Sequence, residues 1–161
     1  MKKEDRKKKL ALLIEKQKAK IKEGYGALFD ECIAALGDGV TIFSDNKSEE
    51  LYDLFEDHVP FTDWGRLDWE KFNNPVNINN IVDLTDLLNT EEGIEIYWSH
   101  DKFPVLKAKF DNIEKALDDV IAVSADTFLY VRGKYVVEIN HEGEITLGYL
   151  DNGFFNGCVD P

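Results

Sequence analysis

The 161-residue sequence predicts an α+β domain in which N-terminal helices precede a mostly antiparallel sheet that ends in a C-terminal meander. Two patterns carry that expectation. Apolar residues recur at three- and four-residue steps over the first 36 positions, then alternate with period two beyond about residue 120, where short glycine turns separate the runs. A hydrophobic fraction of 43%, with 12% aromatics, supplies enough apolar surface for one core. A single domain over residues 1–161 is therefore expected.

Taken in order, Leu10, Leu13, Ile14, Ile21, Leu28, Phe29, Cys32, Ile33 and Leu36 mark an amphipathic helix from about residue 4 to 36. Gly24 and Gly26 divide it, and "GDG" at 37–39 ends it. Residues 1–22 are read as a basic helical extension. "VTIF" (40–43) follows as a short strand. Ser48, with Glu49 and Glu50 behind it, marks the start of a helix over "EELYDLFEDH" that stops before Pro60. The Asn-rich stretch around Pro75 reads as loop, with a short helix at 83–89. "GIEIYWSH" (93–100) alternates like a strand, and Pro104–Asp119 reads as a helix with Leu106, Phe110, Ile113 and Leu117 on one face.

The runs "VIAVS" (120–124), "TFLYV" (127–131), "YVVEIN" (135–140) and "EITLGYL" (144–150) then follow as consecutive strands joined by hairpin turns. Tyr135, Val137 and Ile139 are expected to face the core opposite Ile145, Leu147 and Tyr149. Gly143 closes the corner at positive φ. Residues 151–161 are expected to form a flexible tail.

The net charge of −13 is unevenly spread. Residues 2–23 hold ten Lys/Arg against four acids, which leaves nine against twenty-eight elsewhere, a body of −19. Such a body repels nucleic acid and anionic membrane and attracts basic partners. The apolar "LALLI" is too short for a signal-peptide core, and no run is long enough to span a bilayer, so a cytoplasmic location is expected. Cys32 and Cys158 form no CxxC or Cys/His cluster, which argues against a disulfide framework or a zinc site.

Catalysis finds little support in the motifs. A hydrolase or transferase needs a nucleophile beside an oriented base. The three histidines are His58, His100 and His141, and no GxSxG, HExxH, HxxxH or Cys-His signature accompanies them. His141, with Glu142 and nearby Asp126, falls at a hairpin corner; His58 falls at a helix C-terminus, where a cation suits the dipole. His100, next to Asp101 at a strand end, is the better acid–base candidate. There is no calcium loop and no phosphate loop, so no metal, cofactor or catalytic residue is assigned.

Acid interleaved with aromatics between residues 45 and 70 stands out more. The carboxylates Asp45, Glu49, Asp53, Glu56, Asp57, Asp63 and Asp68, with Trp64 and Trp69, form a candidate surface for a basic partner. The structural alternative is that Leu51, Leu54 and Phe55 are core, the carboxylates a solvated face and the tryptophans core corners.

The C-terminal half adds a resemblance. "FPVLKAKFDNIEKALDDVIAVSADTFLYV" and "YVVEINHEGEITLGYL", over roughly residues 94–150, resemble the immunity proteins of bacterial contact-dependent growth inhibition and related polymorphic toxin systems. That resemblance implies a cytoplasmic, non-enzymatic protein that neutralises one cognate toxin domain, often a nuclease. It carries no interface residues across. The expected function is thus occlusion of a basic RNase or DNase toxin domain, with no direct nucleic-acid or membrane contact. Two alternatives stand beside it: a small hydrolase or transferase using His100 or His141, and a nucleic-acid or membrane-surface protein using the basic N-terminal helix.

Overall fold

A computed structural model of the chain describes residues 25–63, 66–88, 91–99 and 103–150. The helical extension 1–22, Trp64, His100, Cys158 and the tail 151–161 lie outside these described residues. The chain divides into two compact units, Met1–Ala35 and Leu36–Pro161. Helix α1, Ala27–Leu36, begins in the first, where Asp30 N–H donates to the carbonyl of Gly26 at 3.1 Å.

The second unit is built on a seven-stranded sheet. Its strands are β1 (Thr41–Ile42), β2 (Val76–Ile78), β3 (Gly93–Trp98), β4 (Leu106–Lys109), β5 (Thr127–Val131), β6 (Tyr135–Ile139) and β7 (Ile145–Tyr149). Their order is β1-β4-β3-β5-β6-β7-β2, and every pairing is antiparallel. This is the α+β class the sequence predicts.

Register follows the predicted hairpin. Tyr135 pairs with Tyr149, Val137 with Leu147 and Ile139 with Ile145. The corner is organised by Asn140, whose side-chain oxygen accepts the N–H groups of Glu142 (2.9 Å) and Glu144 (3.0 Å). Gly143 sits at φ +85°, in the left-handed region that disfavours a Cβ. Tyr149, expected on the core side, is instead 41% exposed at the strand end.

A substitution pair tests this corner. Gly143→Val is expected to lower stability by about 1–2 kcal/mol or more, because a β-branched residue is strained at positive φ. His141→Ala should cost far less, since its backbone N–H, not its ring, makes the 2.9 Å bond to Asp126 Oδ1. Thermal melts of the two variants give the ranking, and the reverse order would refute this account of the turn.

Helix α2 spans Asp45–His58. Its cap is Ser44, whose hydroxyl accepts from Lys47 N–H at 3.1 Å, so the helix starts earlier than the Ser48 boundary read from sequence. Ser48 is instead buried inside the helix, where its hydroxyl accepts from Val105 N–H at 2.9 Å. Leu51, Tyr52 and Phe55 point at the sheet and join Tyr97, Phe128, Tyr130 and Val136 in one apolar cluster. Phe55 is its hub, stacked on Tyr97 at 4.3 Å and 4.9 Å from the Tyr130 ring.

The opposite face of the sheet carries α3 (Phe110–Lys115) and α4 (Leu117–Ile121), with the indole of Trp98 donating to the carbonyl of Val120 at 3.0 Å. Both faces are therefore covered, and no residue of β6 is exposed.

Four expected elements are corrected. Residues 106–109 are strand, not helix: Leu106 and Ala108 are buried while Lys107 and Lys109 are exposed, and both neighbouring strands take up the backbone hydrogen bonds. The run 120–124 is no strand, because helix α4 continues through Ile121. The Asn-rich stretch read as loop contributes the edge strand β2, paired with β7. The short helix expected at 83–89 is a 3-10 helix at Ile81–Asp86, capped by the side chain of Asn80.

Candidate functional site

Helix α2 buries Ser48, Leu51, Tyr52 and Phe55 at helical spacing, which turns its remaining positions to solvent. Asp45, Glu49, Asp53 and Asp57 recur every four residues and form a continuous row of exposed carboxylates along that side. Glu50 and Glu56 flank the row. Lys47 is the one Lys or Arg in the helix, and it lies 3.5 Å from Glu50. Among the described residues Glu49, Asp53 and Asp57 form no ion pair. Like charges at this spacing weaken an isolated helix by about 0.2–0.5 kcal/mol per pair, while Asp45, in the first turn, suits the helix dipole.

Beyond the helix C-terminus, Pro60 leads into a narrow loop closed by a bridge between Phe61 and Leu67. Phe61 leans back over the helix. Its ring lies 5.5 Å from Phe55 and 6.1 Å from Phe128, nearly edge-on to both. Between α2, this loop and the ends of β3 and β5 opens a cleft of about 330 Å³. Tyr52, Phe55, Phe61 and Phe128 form its walls, and Glu56 and Asp63 bring carboxylates to it. Tyr52 is fixed there by Trp98 N–H, which donates to its hydroxyl at 3.2 Å. Burial holds that phenol well above its ordinary pKa, so it stays neutral.

Of the acidic-aromatic residues singled out in the sequence, the structure gathers Asp45, Glu49, Asp53, Glu56 and Asp57 on one exposed helix and places Asp63 at the cleft. Trp64 lies outside the described residues. Asp68 and Trp69 belong to a separate neighbourhood. Trp69 is half-buried; its indole lies 4.6 Å from Phe72 and donates to Glu138 Oε1 at 3.0 Å.

Glu138 is a buried carboxylate that sequence reasoning missed, since a glutamate in an alternating strand reads as solvent-facing. Its second oxygen lies 3.8 Å from Arg66 Nε, an ion pair too long for a hydrogen bond. Burial raises its pKa, against the opposing influence of the Trp69 hydrogen bond and the Arg66 charge.

The histidine at the hairpin corner is held between acids. Nδ1 of His141 lies 3.4 Å from Asp126 Oδ1, and Nε2 lies 3.9 Å from Glu142 Oε2. Both ring nitrogens thus face carboxylates rather than a hydroxyl or thiol, so the corner does not have the geometry of a nucleophile with its base. His58 closes α2. His100 lies outside the described residues. Among the described residues no group of three or more His, Cys, Asp and Glu could hold a metal ion, and no helix is long and apolar enough to cross a membrane.

Residues 26–148 match the family described as CdiI immunity protein EcoliA0-like, and the chain belongs to that family. The match takes in α1 and the whole acidic segment, well beyond the 94–150 stretch that carries the resemblance in sequence. No curated protein matches the chain. Membership makes this an immunity protein, whose role is to neutralise a cognate toxin.

Proposed function

We propose that the protein binds a basic nuclease toxin domain in the cytoplasm, through the acidic side of α2 and the adjoining cleft, and inhibits it by occlusion without chemistry of its own. The observation that carries this reading is the exposed row Asp45, Glu49, Asp53 and Asp57. A nuclease cleft is shaped for phosphates, and a line of carboxylates can take the place of a phosphate backbone there. The excess of 28 acids over nine bases outside residues 2–23 extends that attraction over the body. The same charge disfavours nucleic acid as a direct ligand.

The test uses the purified chain and the toxin domain encoded beside its gene. A stable complex is expected, with RNase or DNase turnover abolished at stoichiometric ratio. His100→Ala and His141→Ala chains should protect as well as the parent. A toxin that remains active in the saturated complex would refute occlusion, and loss of protection with either alanine variant would favour an enzyme.

A further inference from the structure

The cleft beside α2 has a shape and chemistry that the charge of the helix alone does not explain. Of the aromatic residues that line it, Tyr52, Phe55, Trp98 and Phe128 are buried and Phe61 is partly exposed. Phe55 contacts Phe128 at 5.6 Å in addition to Phe61 and Tyr97, which holds Phe61 in place from behind and leaves it as the ring a ligand can cover. Glu56 and Asp63 line the same space, and among the described residues no Lys or Arg does. Both carboxylates are exposed.

A neutral apolar occupant would strip water from these carboxylates and return no hydrogen bond. An anion would be repelled. A cation with flat faces fits both demands, because aromatic rings attract it through their π faces while carboxylates accept its N–H groups. An ammonium is compact and strongly hydrated, whereas a guanidinium is planar, weakly hydrated and able to stack and fork at once. The space, about 330 Å³, admits one such side chain with water around it.

We propose that this cleft receives a single arginine side chain of the toxin, stacked against Phe61 and bonded to Glu56 and Asp63. This rests on the immunity reading above and deepens it. The carboxylate row on α2 governs approach. The cleft holds the complex once formed.

Two arms test it on the full chain. In the first, N-acetyl-arginine amide is titrated while the backbone amide signals of Thr62, Asp63 and Ser99 are followed by NMR, with the citrulline and lysine analogues as controls. Saturable shifts are expected for arginine at millimolar concentration, weaker ones for lysine and none for citrulline. In the second, the Glu56→Gln/Asp63→Asn chain is measured against the toxin domain. Its dissociation rate should rise about tenfold or more with little change in association. Both substitutions are exposed and should leave the melting temperature unchanged.

An equal response to citrulline, or no saturable response, overturns the arginine site. So does unchanged dissociation from the toxin. If the parent chain still inhibits in those cases, the cleft proposal falls and the immunity reading stands. If the parent chain fails to bind the toxin at all, both fall.

Discussion

Gly148→Val is expected to destabilise the protein by about 3 kcal/mol, near the upper end for overpacking a well-filled core. Gly148 lies in β7 opposite Val136, on the face that Trp69 and Phe72 cover. A Cβ at this position would meet Phe72 ring carbons at 2.4 and 2.5 Å and a Trp69 ring carbon at 2.7 Å. These are not loose side-chain ends. Phe72 is 6% exposed, and Trp69 is tied through its indole to Glu138. Moving the rings aside breaks that bond and leaves a buried carboxylate without its donor, which costs a further 1–3 kcal/mol or so where it happens.

For a chain of this size each kcal/mol lowers the melting temperature by about 2–4 °C, so a fall of roughly 6–12 °C is expected for valine and a smaller one for alanine. Gly148→Ala combined with Phe72→Leu should recover part of the loss, since the second change opens the space the first one fills. A Gly148→Val protein that melts with the parent would show that the Trp69–Phe72 cover does not press on the sheet.

The meander was legible because period-two alternation and a short glycine turn fix register together: once Asn140–Glu144 is the corner, Tyr135 must oppose Tyr149. The segment 104–109 was not. Leu106 stands four residues before Phe110 and seven before Ile113, so a true strand and the helix after it share one helical stripe in sequence. Strand β2 is three residues long in an Asn-rich stretch, too short to show a period. The site divides the same way. The carboxylate row on α2 is a four-residue spacing and needs only the helix to be recognised. The cleft needs Phe128, which arrives from a strand far along the chain, and Glu138 reads as a solvent-face residue until a second layer is seen to cover it.

Reversing Glu49, Asp53 and Asp57 together to lysine is expected to slow association with a basic toxin domain by about tenfold or more at low salt. All three are exposed, lie in the same row and avoid the cleft, so the change is confined to the approach surface. The helix should tolerate it. Of the three i,i+4 pairs in the row, Glu49–Asp53 and Asp53–Asp57 become like-charged lysine pairs while Asp45–Glu49 becomes an opposite-charged pair, so the repulsion within the helix does not rise. Folding is thereby separated from binding, and equal melting temperatures would establish that separation directly.

Net charge falls in magnitude from −13 by six units, which weakens the long-range field as well as the local row. Because exposed charges are screened over a Debye length of about 8–10 Å near physiological salt, the parent and the variant should converge as salt is raised. Dissociation should change less, since solvated charges outside the contact centre act mainly on encounter. Stopped-flow association rates at several salt concentrations read all of this in one series. Identical rates and identical salt slopes for the two proteins would remove the acidic side of α2 from the encounter and require the toxin to meet another face.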